Sequence, residues 1–545
     1  MMLRKYLRLP GQIIFIGFSV LVLSFLACKE EPLLPPVAPV DETITSENAY
    51  IDLFLDSNKL YTYITENNLS PVDSAYILGF YRDRNYEFAW FDSSGMAQQA
   101  RHFINLFNNF RQTTADSSLN NPALDDHINL WLDDTLATPE FEKNSVSMLE
   151  IQLTHNFFRY AERAFGIHDS LDLTKIGWYI PKRKLDAHSF LDSVIFYKGE
   201  SIDRHLPVHP LFTGLQDALV KYTALARSHQ FDSIAFTKGS FRIGDSSALI
   251  GEIKRRLFAF GDLAGSDTGN IFTTLTAEGV VSFQERYGLT PDSVAGPAFQ
   301  RAINTPVDSL IQQIIVNLER SRWLPLPASG KSIFVNIPGY RLYARNTAGE
   351  NLTMDVVVGT PATKTVIFNE EMKYVVFAPY WNVPYSIVKN EMGRTAGYFS
   401  RRNMEIVGTY SDGLPRVRQK PGPWNALGKV KFLFPNNYSI YLHDTPTKSS
   451  FSQSRRAFSH GCIRIEKPFE LAKWVLDERA EFTEDSIRHA MNRKTELTVT
   501  VKNKIPVLIA YFTAWKADDG KLQFRPDVYG HDKALKQRLF ENNKR

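Results

Sequence analysis

The chain has 545 residues, which is too long for one hydrophobic core and predicts roughly three domains. Hydrophobic residues make up 43% and charged residues 22%, an ordinary globular balance that excludes a fibrous or wholly disordered protein. The formal net charge of +4, without a zinc-finger, helix-turn-helix or RNA-binding motif, argues against a nucleic-acid partner.

Residues 1–27 have the layout of a secretory signal peptide. A basic segment with Arg4 and Arg8 precedes an apolar run from Ile13 to Leu26, which is short for a membrane span. The run ends at Ala27-Cys28, and a small residue followed by cysteine resembles a bacterial lipobox, although Phe25 stands where leucine is usual. The resemblance implies a lipid on Cys28 that anchors the protein to a bacterial membrane from the periplasmic side, with the outer membrane favoured. An ordinary cleaved signal, or a short anchor helix with an incidental cysteine, is the alternative.

Residues 28–47 read as an extended tether between the lipid and the first folded domain. Proline recurs at positions 32, 35, 36 and 39, and this density prevents both helix and sheet hydrogen bonding. Residues 48–240 then show apolar positions at three- and four-residue steps, for example from Ala100 to Phe107 and from Leu149 to Phe158. No catalytic constellation accompanies them, so they predict a helical scaffold domain.

Residues 241–305 form a separate unit with three helical stripes divided by glycine-containing turns. The stripes centre on Ile253, Phe283 and Phe299, and the turns and spacing resemble the small three-helix peptidoglycan-binding domain. Residues 306–330 continue as a linker helix over 307–322, which Pro325 brings to an end.

The period changes to two from Lys331 onward, where alternating apolar residues and Pro/Gly turns predict a mostly-β catalytic domain over 331–503. Residues 386–422 interrupt this pattern with basic and polar sequence. They predict an inserted, mobile flap beside the active site, with a plain surface loop as the alternative. Residues 504–545 predict a C-terminal closing element. The expected fold class is therefore multidomain α+β.

The residues around Cys462 carry the candidate chemistry. A thiol needs a base to become a good nucleophile, and His443 and His460 are the nearest histidines in sequence. His460 lies only two residues from Cys462 along an extended segment, so His443 on a neighbouring strand is the better base. His460 would orient His443 or brace the turn.

Gly461 allows the backbone to bend sharply before the cysteine, so the N–H groups of Gly461 and Cys462 are candidate oxyanion donors. Arg464 is suited to binding a substrate carboxylate in bidentate fashion. One cysteine and two histidines fall short of a structural metal site, so no metal is expected. A buried, catalytically inert cysteine remains the alternative at this point.

The run Ser459-His460-Gly461-Cys462, with His443 sixteen positions before Ser459, resembles the signature of L,D-transpeptidases of the YkuD type. Many members carry asparagine where this chain has Arg464. The segments that resemble the long Gram-negative branch of the family are 86–91, 317–325, 356–359, 379–384 and 422–428.

The resemblance implies that Cys462 attacks a tetrapeptide stem of peptidoglycan, releases D-Ala and passes the acyl group from a thioester to a second stem as a 3→3 crosslink. It implies no cofactor, acylation of Cys462 by carbapenems, and a donor site lined by Trp381, Tyr385 and Trp424, whose alternative is core packing. Water, a free D-amino acid or a protein are alternative acceptors. A non-catalytic wall-binding lipoprotein is the alternative of another class.

Overall fold

The computed structural model describes residues 53–114, 117–132, 139–166, 172–181, 185–200, 208–228, 231–265, 267, 269–392 and 396–541. The predicted signal peptide, tether and lipidated Cys28 lie outside these residues. Within the described ranges, no helix combines the length and the apolarity needed to cross a bilayer.

The region after the tether is helical, as predicted for a scaffold. The long helix α5 is central, and its Glu150 carboxylate accepts hydrogen bonds from the N–H groups of Ala89 and Trp90 at 2.6 and 3.0 Å. The hydroxyl of Tyr81 donates to the same carboxylate at 2.8 Å, so an irregular segment is held to the helix. The elements are α1 (Ser57–Glu66), α2 (Pro71–Asp83), β1 (Phe91–Asp92), β2 (Gly95–Met96), α3 (Gln98–Thr114), α4 (Pro122–Leu132), α5 (Pro139–Phe165), α6 (Ala187–Phe196) and α7 (Pro210–Ser228).

The three predicted helices of the next unit are present as α8 (Ala248–Phe260), α9 (Thr274–Arg286) and α10 (Pro297–Ile303). A left-handed residue, Gly261, ends α8, and a capping box between Thr273 and Thr276 starts α9. The ring of Phe260 stacks on Tyr222 of α7 at 6.1 Å, so this unit shares a core with the scaffold. Helix α11 (Val307–Arg322) follows with the predicted bounds.

The catalytic region forms a closed barrel because β4 pairs back with β5. The order around the barrel is β5-β13-β11-β10-β6-β14-β3-β4, and β12 extends the end of β5. The strands are β3 (Lys331–Asn336), β4 (Arg341–Asn346), β5 (Leu352–Gly359), β6 (Phe368–Phe377), β7 (Trp381–Asn382), β8 (Met404–Thr409), β9 (Pro415–Gln419), β10 (Val430–Leu433), β11 (Leu442–His443), β12 (Ala457–Ser459), β13 (Ile463–Ile465) and β14 (Leu497–Ala510). The predicted boundary at 503/504 falls inside β14, so the barrel does not end there.

The insertion was predicted as a mobile flap without strands, and its internal structure is different. It is a folded unit, here called the insert (residues 381–420), with the antiparallel sheet β7-β9-β8 and helices α12 (Tyr385–Glu391) and α13 (Ala396–Ser400). A small apolar core holds it together, formed by Val383, Ile387, Val388, Phe399 and Val417. The sequence pattern did not reveal this sheet, because β9 alternates arginines with Val417, and β8 has two apolar residues, Ile406 and Val407, that are exposed.

The C-terminal segment packs against helix α11. After α14 (Pro468–Leu476) and α15 (Glu484–Met491), the chain forms β15 (Ala514–Lys516), β16 (Leu522–Phe524) and α16 (His531–Lys536). The amide of Asn317 in α11 donates to Thr513, and Arg320 in α11 forms a buried 2.5 Å ion pair with Asp532. Helix α11 is therefore packed against the C-terminal segment and is not a simple linker.

Candidate active site

Two short strands bring the predicted nucleophile and base together. Strand β11 pairs in parallel with β13, with Leu442 opposite Ile463 and His443 opposite Arg464. Cys462 immediately precedes β13, so the barrel places it beside the strand that carries His443. The ring of Tyr441 lies 5.7 Å from the imidazole of His443 and also hydrogen-bonds the Cys462 thiol.

His443 is buried, and its ring is held in one orientation. Its Nδ1 donates to the backbone carbonyl oxygen of Asp444 at 2.5 Å, which leaves the Nε2 lone pair free to act as a base. Burial lowers the pKa of His443 to about 4, so the imidazole is neutral at pH 7.

The Asp444 carboxylate is itself held in place by three hydrogen bonds. It accepts from the backbone N–H of Thr445 and of Lys429 and from the ammonium of Lys448, at 2.7, 2.8 and 2.7 Å. Gly428 passes so close that a side chain there would overlap this carboxylate. Asp444 follows His443 directly in the sequence, but its part in holding this turn depends on Lys429 and Lys448, which are more distant in the chain.

The thiol of Cys462 is half-buried and protonated at rest. Burial raises its pKa, while hydrogen bonds from Tyr441 and the positive charge of Arg464 lower it. The thiol donates to the backbone oxygen of Ser439 at 3.4 Å. The hydrogen bonds of the Cys462 thiol in the described residues involve Ser439 and Tyr441 and not His443, so the resting pair is not the ion pair that a preformed thiolate needs.

The turn before the nucleophile depends on glycine. Gly461 has a φ of +113°, where a side chain is strained, and its N–H donates to the Ser459 hydroxyl at 3.2 Å. The Ser459 hydroxyl donates onward to the carbonyl oxygen of Cys462 at 2.5 Å. The Gly461 N–H is thus occupied and does not serve as the predicted oxyanion donor in this state. The N–H of Cys462 has no hydrogen-bond partner among the described residues and fits that role.

The turn is supported from the far side by residues that the sequence did not indicate. The Thr365 hydroxyl donates to the Gly461 carbonyl at 2.7 Å and accepts from the Gly359 N–H at 2.9 Å. The Tyr529 hydroxyl donates to the Gly359 carbonyl at 2.6 Å and accepts from the Thr365 N–H at 3.2 Å. The C-terminal segment therefore contributes to the support of the nucleophile.

His460 does not orient His443. Its Nε2 lies 2.8 Å from a carboxylate oxygen of Glu391, the last residue of α12, and both side chains are about half exposed. The prediction failed because the Gly461 turn directs His460 toward the insert, whose fold the sequence pattern did not reveal.

The remaining predicted binding residues lie at different distances from the nucleophile. Arg464 is half-buried beside Cys462, and no carboxylate of the described residues pairs with it. Tyr385 starts α12, and its hydroxyl donates to Asp412 at 2.5 Å. Trp381 packs against the core of the insert, and Trp424 is 48% exposed. No described contact joins these three aromatic residues to Cys462.

Other features of the described chain do not add to this site. No group of three or more His, Cys, Asp or Glu side chains in the described residues is arranged to hold a metal ion. A cavity of about 1040 Å³ lies between the scaffold and the barrel, with Tyr179, Tyr343 and Trp515 in its walls, and Cys462 is not part of its lining.

Comparison with known families assigns the domains. Residues 330–504 match the YkuD "L,D-transpeptidase catalytic domain", residues 75–219 match the "Scaffold domain", and residues 246–303 match the "Putative peptidoglycan binding domain". The barrel with Cys462 is thus an L,D-transpeptidase catalytic domain. The matches to the scaffold domain and the peptidoglycan-binding domain lie before the match to the catalytic domain along the chain.

A curated relative from Haemophilus influenzae, named "Putative L,D-transpeptidase", is 31% identical over 246 residues. The alignment covers 42% of this chain and 49% of the relative, so the chain spans about half the length of the relative it matches.

Similar solved structures include an L,D-transpeptidase from Xylanimonas cellulosilytica, with 14% identity over 50% of this chain and 99% of that one and a TM-score of 0.18. Another is LD transpeptidase LdtMt1 in complex with imipenem, with 17% identity over 34% and 60% and a TM-score of 0.19.

Proposed function

We propose that the protein forms 3→3 crosslinks in peptidoglycan through a thioester on Cys462. The observation that carries this proposal is the parallel pairing of β11 with β13: it supports a role for His443 as the base, because its ring is oriented and neutral and lies on the strand next to the one that follows Cys462. The family of the catalytic domain and the peptidoglycan-binding match support the same substrate.

In the first half-reaction, Cys462 attacks the carbonyl that joins the third residue of a tetrapeptide stem, meso-diaminopimelate, to the terminal D-Ala. Because the thiol and imidazole are both neutral at rest, the proton moves from sulfur to Nε2 of His443 as the C–S bond forms. The thiol must leave the Ser439 carbonyl to do so. His443 then protonates the departing amine of D-Ala, and the acyl group remains on sulfur.

The oxyanion of the tetrahedral intermediate needs hydrogen-bond donors at the nucleophile. The backbone N–H of Cys462 is available for this, and the Tyr441 side chain already contacts the sulfur. Burial raises the pKa of Tyr441, so its hydroxyl keeps its proton and is able to donate.

Arg464 supports recognition of the donor stem. The carboxylate of the terminal D-Ala lies next to the scissile bond, and the guanidinium beside Cys462 is without an acidic partner among the described residues. A free carboxylate one residue beyond the cleaved bond would form the missing ion pair. This accounts for a preference for tetrapeptide stems.

The direct test is mass spectrometry of the purified protein with a disaccharide tetrapeptide. The native protein is expected to gain the acyl mass on Cys462, release D-Ala and yield crosslinked dimer, whereas Cys462→Ala does none of these while still binding peptidoglycan. Crosslinking by Cys462→Ala would refute the proposal. Hydrolysed stem, D-amino-acid exchange or protein–stem adducts in place of dimers would reassign the acceptor. A carbapenem is expected to acylate the same sulfur.

We also propose that the protein is lipid-anchored through Cys28 and acts in the periplasm, since its substrate is a wall polymer. Incorporation of labelled fatty acid in cells tests this, and Cys28→Ala is expected to abolish both labelling and recovery with the membrane fraction. Unchanged labelling would place the lipid elsewhere.

A further inference from the structure

The contact between His460 and Glu391 has no part in the half-reaction described above. His460 Nε2 lies 2.8 Å from Glu391 Oε1, and the two side chains are 52% and 51% exposed. One partner lies two residues before the nucleophile, and the other ends helix α12 of the insert. The pair therefore links the turn that precedes Cys462 to the insert, through two side chains that solvent can reach.

The second half-reaction presents a problem that His443 does not solve alone. An alkyl amine in water is an ammonium ion near neutral pH, with no lone pair to attack a carbonyl. It needs a negative charge to hold it and a base to remove one proton. His443 is buried and carries the proton that returns to the sulfur, so the proton that must leave the ammonium group before attack needs a second base that solvent can reach.

Glu391 and His460 supply both functions. When Glu391 is ionised, its carboxylate accepts the Nε2 proton of His460 and leaves the Nδ1 lone pair as the basic site, the orientation that a carboxylate gives a catalytic histidine. Among the described residues, no lysine or arginine pairs with Glu391, whereas the insert carboxylate of Glu405 is paired with Arg418 and Lys420. Glu391 is thus able to hold an incoming cation.

We propose that Glu391 and His460 form the subsite for the cationic acceptor amine, an assignment that rests on the proposed transpeptidase function. The subsite takes a primary ammonium group, such as the side-chain amine of a second stem. Arg464 on the other side of Cys462 faces the donor carboxylate, so the two subsites have opposite charge.

Glu391 binds the ammonium group, and Nδ1 of His460 takes one proton, which passes to solvent. The neutral amine attacks the thioester carbonyl, the C–N bond forms and the C–S bond breaks. The second proton of the attacking nitrogen moves through His443 to the departing sulfur, which restores the thiol.

The test separates the two half-reactions in the full chain. Glu391→Gln and His460→Gln are compared with the native protein and with Glu405→Gln, a control carboxylate in the same insert. Acylation of Cys462 by the tetrapeptide is followed by mass spectrometry, and transfer is then started with either a stem amine or hydroxylamine, which is uncharged at neutral pH.

Both variants are expected to acylate within about twofold of the native rate and to transfer to the stem amine roughly 100-fold more slowly, the usual effect of losing a general base. Transfer to hydroxylamine is expected to stay at the native rate, and Glu405→Gln to match the native protein throughout. Equal slowing with both acceptors would show that the contact only positions the insert and would overturn the proposal, as would unchanged transfer to the stem amine. Failure of the native protein to acylate would instead refute the proposed function.

Discussion

Thr365 and Gly461 are joined by a hydrogen bond of 2.7 Å, although 96 residues separate them in the chain. The hydroxyl of Thr365 holds the carbonyl of the residue before the nucleophile, and Tyr529 holds the Thr365 backbone from the other side. The position of Cys462 therefore depends on side chains that never meet the substrate. They act by fixing a turn whose conformation is costly on its own.

Replacing Thr365 with valine is expected to slow acylation of Cys462 by about tenfold or more. Valine keeps the shape but leaves the Gly461 carbonyl and the Gly359 N–H without their partner, at about 1–3 kcal/mol for each buried group left unpaired. Stopped-flow acylation by a carbapenem measures the effect. Thr353→Val, at an exposed position of β5, is the matched control and is expected to leave the rate unchanged. An acylation rate in Thr365→Val equal to that of the native protein would show that the position of Cys462 does not depend on Thr365.

Gly461→Ala is expected to lose most activity while the protein stays folded. The φ of +113° costs a residue with a side chain about 1–2 kcal/mol, and relieving that strain rotates the turn that presents the sulfur. A side chain at Gly461 would meet the backbone oxygens of Lys364 and Thr363 at 3.7 and 3.8 Å, which is ordinary contact, so no steric clash adds to this effect. Thermal unfolding and acylation measured together test it. Gly296→Ala, at a glycine with ordinary φ and open surroundings, provides the comparison and should retain full activity.

The acidic limb of the pH–rate profile is expected near pH 4 rather than near 6.5. Burial lowers the pKa of His443 to about 4, so the imidazole stays available as a base down to that pH. The lowered pKa of His443 also makes the free energy of unfolding depend on pH. Between about 4 and 6.5 the unfolded chain binds more protons at this residue, so the free energy of unfolding falls as the pH falls through that window and is level above it.

Carbapenem acylation rates from pH 3.5 to 8, paired with denaturant unfolding, check both statements. His443→Gln should remove this contribution to the pH dependence of stability. A half-maximal acylation rate near pH 6.5 in the native protein would mean that His443 is solvated in the working state.

The sequence predicted the parts of the site that form a local motif. The nucleophile and its base were recognisable because Cys462 and His443 belong to a fixed local pattern, and helices α8–α10 were recognisable from their periodicity. The residues that support the turn were not recognisable. Thr365 and Tyr529 bond to backbone groups, which every residue type has, so the sequence gives no sign of these contacts. The contact of His460 with Glu391 was missed for a related reason: it spans 69 residues and depends on how the insert folds.

The order of the strands in the barrel also could not be predicted from the sequence. The period of two from Lys331 identified β3, but not that β3 lies between β4 and β14 in the sheet. Periodicity reports which face of a strand is buried, and it does not report which strand lies alongside. Closure of the sheet through β4 and β5 required the three-dimensional structure.

Arg464→Met is expected to weaken selection of the donor stem rather than the chemistry itself. Methionine keeps much of the buried length of the side chain but removes the charge that would meet the terminal D-Ala carboxylate, an interaction of about 1.5–3 kcal/mol. The KM for a tetrapeptide stem should rise at least tenfold, and the preference for a tetrapeptide over the same peptide with a C-terminal amide should disappear. The loss of a positive charge beside the thiol also raises the pKa of Cys462, which is visible as slower alkylation by iodoacetamide. If alkylation slows but the preference for the free carboxylate is unchanged, Arg464 only lowers the pKa of Cys462. Recognition of the donor stem would then belong to another residue.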